Sequence, residues 1–174
     1  MKILKFVLCA IIALAVAPLF ADEAFCVSGG ALQNHVGKDG NQIGGFGEFG
    51  FRLYSKGSFF VWDHLTLRGY SFGADGKDYG AFTLSDKLII GGNSRNGPFR
   101  TYGFIEGGAG IGLGGVAPSV APLFSCAGGG GIDVLYDVCS SFFIEFGGQG
   151  FFAPALGVPA LGGMILELGW RGFF

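Results

Sequence analysis

Charge is scarce in this chain. Asp, Glu, Lys and Arg make up 14% of its 174 residues, against about 25% in an ordinary soluble domain. Eleven basic residues stand against 13 acidic ones, so there is no basic stripe to hold a phosphate backbone, and nucleic acid is excluded as a partner. Histidine occurs twice, as His35 and His64, and the cysteines at 9, 26, 126 and 139 match no zinc-ligand spacing. No GxxxxGK[ST] loop stands between a strand and a helix. The sequence therefore implies neither a metal nor an organic cofactor. Long hydrophobic runs are also missing beyond residue 21, where nothing approaches the ~20 apolar residues of a membrane helix.

The one apolar run lies at the start. Lys2 and Lys5 precede a stretch from Phe6 to Phe20, which ends at Ala21 before Asp22 and Glu23. A basic start, a short greasy core and a small residue before polar sequence predict a secretory signal peptide over 1–21, cleaved after Ala21. Residues 22–174 then form one domain of roughly 150 residues. Cys9 leaves with the signal, and the three cysteines that remain cannot make a complete disulfide set. A Cys26–Cys139 bridge stays open if their Cα atoms come within ~7 Å.

The rest of the chain is greasy by alternation. Half of the whole sequence is hydrophobic, with 35 Gly and 20 Phe. The clearest stretch is LGGMILELGWRGFF, residues 161–174. Met164, Leu166, Leu168, Trp170 and Phe174 share one face; Ile165, Glu167, Gly169, Arg171 and Phe173 share the other. A period of two with one apolar and one charged face marks a strand whose sides meet different media. Similar patterns predict seven more strands, at about 25–32, 43–54, 59–72, 78–91, 99–113, 124–136 and 141–152. In lipid, only helices and closed barrels satisfy every backbone polar group. The expected fold is therefore all-β, an eight-stranded antiparallel up-and-down transmembrane β-barrel. Connections of about four to seven residues are expected at one end and of about ten at the other, except for a tight Asp75-Gly76 hairpin.

The terminal aromatic strand, the even strand count and the alternation resemble those of small eight-stranded outer-membrane β-barrel proteins, such as the outer membrane protein A barrel and the opacity-type proteins. The resemblance implies a place in the outer membrane of a Gram-negative bacterium. It also implies that Phe174, with Trp170, is a signal read by the barrel-assembly machinery during insertion. Outer-membrane lipid and that machinery are the partners to expect, with a small apolar ligand or a surface partner as a further option.

The faces opposite the greasy ones carry Glu48, Arg52, His64, Arg68, Arg100, Glu106, Asp133, Glu145, Glu167 and Arg171. An Arg facing lipid at mid-depth would cost about 2–4 kcal/mol, so these ten residues are expected inside, as a polar network of ion pairs; a proton or ion path through them is the sharper reading. Two neighbouring inward rows are small: Gly108, Gly110 and Gly112, beside Ala127, Gly129 and Gly131. Either large side chains or wall curvature explain them, or they line a cavity that holds or passes a small apolar molecule.

A hydrolase needs a nucleophile beside a base. His64-Leu65-Thr66 resembles the His-x-Ser core of the lipopolysaccharide deacylases, but Thr66 stands where that family has Ser and Leu67 where it has Asn. No catalytic residue is assigned. The expected function is a structural or surface-interaction role without catalysis. Two alternatives remain open: a narrow passage or binding barrel for small solutes or apolar molecules, and a soluble secreted ligand binder of lipocalin type with the greasy face turned inward.

Overall fold

The alternation produces eight strands: β1 (Phe25–Val36), β2 (Asn41–Lys56), β3 (Phe59–Ala74), β4 (Lys77–Asn93), β5 (Phe99–Gly114), β6 (Ser119–Asp137), β7 (Ser140–Ala153) and β8 (Val158–Phe173), with one 3-10 turn at Pro154–Leu156. The computed structural model describes residues 24–36, 41–74, 77–94, 97–114, 119–137, 139–156 and 158–174. The predicted signal peptide and the Asp75-Gly76 hairpin lie outside the described residues.

Each strand pairs antiparallel with the next, and β8 returns to β1 to close the barrel. The seam runs from Cys26 opposite Phe173 to Val36 opposite Gly163. The last residue finishes it: Phe25 N donates to Phe174 O at 3.0 Å, and Phe174 N donates to Phe25 O at 2.8 Å. Closure leaves no strand edge exposed.

Strand parity decides which solvent each side chain meets. On β5, Arg100, Tyr102, Phe104 and Glu106 are buried, while Thr101, Ile105, Ala109 and Ile111 are exposed. The same holds around the wall, where Phe49, Leu65, Phe82, Phe124, Phe146 and Leu168 all face out. Greasy faces outward and charged faces inward are the reverse of a soluble globule, so the lipocalin arrangement does not hold.

Three expectations are corrected. The strands run longer than the apolar pattern: β2 starts at Asn41 and β6 at Ser119, taking in Pro122. Connections at both ends are therefore two to five residues long, and the expected asymmetry of turns and loops is absent. The cause is backbone pairing: a closed sheet holds turn-type residues in register regardless of their own preference. Second, the register of β2 against β3 shifts between Arg52 and Tyr54. This bulge turns Tyr54, which strict alternation from Arg52 would put inside, outward against Phe59, and leaves Arg52 only half-buried near the rim. Third, Cys26, Cys126 and Cys139 are free thiols, so the Cys26–Cys139 bridge is not formed.

Candidate functional site

The interior is layered. Near the rim of the chain ends lies an apolar cluster of Cys26, Phe60, Trp62, Ile89, Phe104 and Phe173. Towards the opposite rim lies a second, including Leu32, Phe46, Tyr79, Leu123, Phe143 and Phe151. The buried charges sit between them: Glu48, Glu106, Asp133, Glu145 and Glu167 against Arg68, Lys87, Arg100 and Arg171, with His64. Moving so many charges out of water is costly unless each finds close partners.

Lys87 supplies the centre. Its Nζ lies 2.7 Å from Glu48 Oε1, 2.5 Å from Glu145 Oε2 and 3.5 Å from Glu167 Oε2. Oxygens of the three glutamates come within 4.8 Å of one another, a grouping that would suit a hard cation. The ammonium already stands among them and provides the charge that a metal would. Glu48 also accepts hydrogen bonds from Ser28 Oγ at 2.6 Å and Thr66 Oγ1 at 3.4 Å. Arg68 bridges two strands, donating from Nε to Glu167 Oε1 at 2.7 Å and from Nη1 to Glu106 Oε1. Arg171 Nη1 reaches both oxygens of Asp133 at 3.0 and 3.1 Å, and Nη2 reaches Glu145 at 3.3 Å. Its guanidinium also lies 4.4 Å from the Phe143 ring centroid, which joins the charged layer to the apolar one.

His64 joins the layer to Cys26. Its Nδ1 lies 3.1 Å from Glu48 Oε2, and its Nε2 lies 3.3 Å from Cys26 Sγ. Thiol, imidazole and carboxylate in that order have the connectivity of a nucleophile, a base and an orienting acid. Access is what is missing. Cys26 is 0% exposed and His64 1%. The cavity beside His64, lined also by Trp62, Arg100, Asp133 and Arg171, measures about 10 Å³, room for about one water. The arrangement holds a histidine in place between a buried thiol and a buried carboxylate.

Nine of the ten residues expected inside are buried there, and Arg52 is the exception. Sequence reasoning missed Lys87, the residue that most of the glutamates share, and Tyr102, whose hydroxyl donates to Glu145 Oε1 at 2.9 Å. The signal for Lys87 was present: Tyr79, Ala81, Thr83 and Ser85 set the inward parity of β4, and position 87 continues it.

Among the described residues, the space at Gly108, Gly110, Gly129 and Gly131 is taken by neighbouring atoms. A Cβ at Gly110 would collide with Phe82 O and lie 2.7 Å from Thr83 Cα; one at Gly129 would collide with Phe146 O and lie 2.6 Å from Gly147 Cα. Gly108 and Gly131 are filled likewise, by Leu84 O with Ser85 and by the Tyr102 ring. Gly112 is buried and Ala127 packs against the apolar cluster near the chain ends. The wall folds inward so sharply here that neighbouring backbone takes the space, and only glycine allows that approach.

No protein-family model matches the chain, and no curated protein matches it. Solved structures do. Neisserial surface protein A is 13% identical, with a TM-score of 0.68 over 87% of this chain and 97% of the other. Ail, the attachment invasion locus protein of Yersinia pestis, in complex with the heparin analogue sucrose octasulfate, is 17% identical, with a TM-score of 0.51 over 84% and 97%. At such identities the likeness speaks for architecture alone. Closed topology, outward greasy wall and these neighbours agree: the chain has the fold of the small eight-stranded outer-membrane β-barrels.

Proposed function

We propose that this protein works as an integral outer-membrane β-barrel of a Gram-negative bacterium, with a structural or surface role and no catalysis. The observation that carries this reading is the inside-out distribution of residues: an apolar outer wall around a charged layer closed by apolar side chains on both sides. Strands of 12 to 19 residues exceed the roughly 9–11 that a tilted strand needs to cross a membrane. Trp170, whose indole N donates to Tyr136 OH at 2.8 Å, and the stacked pair Phe25 and Phe49 supply an aromatic belt near the rim of the chain ends. That rim faces the periplasm.

With the charged layer closed by apolar side chains on both sides among the described residues, the barrel is expected not to conduct. Planar-bilayer recording of the refolded protein tests this: current indistinguishable from bare lipid is expected, and steady single-channel openings would overturn the sealed interior. Connections of two to five residues give the outer rim little reach, so any surface partner meets the rim itself. The barrel-assembly machinery is the partner during insertion, reading Phe174 and Trp170. Deleting Phe174 is expected to lower the amount inserted in cells while detergent refolding still succeeds; undiminished insertion would remove that role.

A further inference from the structure

Among the described residues of the outer wall, two acids stand side by side between apolar side chains. Asp63 on β3 and Asp86 on β4 face outward, four residues in from Phe59 and seven in from Asn93. Asp63 lies across from Leu88 and Asp86 across from Leu65, so the two are diagonal neighbours on one face. Asp63 stands four residues from Phe59; at ~3.3 Å per residue and a tilt of about 40° that is about 10 Å above the turn. Leu65, Leu84 and Ile105 around them are more than half exposed. Among the described residues, no cation stands beside the pair. A carboxylate in hydrocarbon gives up hydration and here gains only another acid, the situation in which an intramembrane ionisable group marks a site.

A groove accompanies the acids. Asp63, Asp86, Leu88, Ile105, Glu106 and Gly107 line an open depression of about 490 Å³, within the range of small-molecule sites. It owes its depth to Gly107, where an added Cβ would meet nothing within 4 Å. Glu106 backs the groove from behind, with its carboxylate turned to the interior, where Oε1 accepts from Arg68.

We propose that this groove is a lateral binding site, open to the lipid, for an amphiphile with a protonated amine. The ammonium donates to the Asp63 and Asp86 carboxyl groups, and the hydrocarbon chain lies along Leu88, Ile105 and the gap at Gly107. Charge complementarity selects a cation, and the apolar walls select one with a chain; a bare inorganic ion would leave those walls uncovered. The proposal rests on the reading that the outer wall faces lipid, whose own failure is seen separately as folding without detergent.

The test uses the folded protein in a nonionic detergent, with dodecylammonium as the probe and dodecanol as the uncharged control. Binding is read from the side-chain carboxyl carbon resonances of Asp63 and Asp86. The expected result is a saturable shift with dodecylammonium and none with dodecanol. In D63N/D86N, followed by the neighbouring Leu88 and Ile105 methyl resonances, and in Gly107→Phe, which fills the groove from outside, affinity should fall about tenfold or more, about 1.4 kcal/mol or more. Both variants should fold, since one removes acids from an apolar face and the other adds a ring to open space. A shift that never saturates, an equal response to dodecanol, or unchanged affinity in either variant would overturn the proposal.

Discussion

Gly110 and Gly107 lie three residues apart on β5, and a side chain added to either would meet opposite surroundings. At Gly110 it would run into the backbone of β4; at Gly107 it would meet nothing. The same contrast holds for the charges. Inside, Lys87, Arg68 and Arg171 are each shared among two or more acids at hydrogen-bond distance. Outside, Asp63 has as its diagonal neighbour across β3 and β4 another acid, Asp86. One wall, a strand thick, thus separates a packed polar interior from an unpacked apolar exterior. The difference teaches that a residue's parity, more than its type, sets what a substitution does.

The largest effect should come from crossing that divide with bulk. Gly110→Leu is expected to abolish the folded barrel, leaving no compact band when unheated samples are run on a gel. Gly107→Leu should shift stability by no more than about 0.5 kcal/mol, as surface changes do. Equal damage from both would erase the contrast.

Next comes charge. Lys87→Met removes the ammonium from among Glu48, Glu145 and Glu167 and should cost about 3–5 kcal/mol in urea unfolding, the usual penalty for orphaning a buried ion. Adding Glu145→Gln should recover part of that loss, because the two sites are coupled. Lys56→Met, at the exposed turn, should change little. If Lys87→Met were as mild as Lys56→Met, the buried layer would not be the fold's polar anchor.

Smaller effects sharpen the picture. In the folded barrel a lipid-permeant maleimide should modify Cys126 and Cys139, which are exposed, and spare Cys26; mass spectrometry after unfolding should find all three reactive. Trp170→Phe loses only the hydrogen bond to Tyr136 on the outer face and should cost about 1 kcal/mol or less.

Much of this was legible in the sequence, because parity is a local property. The faces of β3, β5, β7, β8 and the part of β2 before its bulge follow directly from alternation, and with them the burial of Glu48, His64, Arg68, Glu145, Glu167 and Arg171. Three things were not legible. A bulge has no signature in alternation, so Tyr54 and Arg52 were misplaced. Strand ends are set by pairing with a neighbour, so Asn41 and Ser119 read as loop. The close approach of β4 to β5 at Gly110 depends on barrel curvature, so a row of glycines read equally well as a void. Asp63 and Asp86 were visible as interruptions of the greasy faces, but only their adjacency across β3 and β4 makes them a pair.

The most direct measurement is electrophoresis of residues 22–174 refolded in detergent, run with and without boiling. A faster unboiled band, obtained only when detergent is present, is the result expected of a closed barrel with a lipid-facing wall. A single band, from a protein that folds equally well without detergent, would contradict the membrane barrel and make the outward apolar face a surface that something other than lipid must cover.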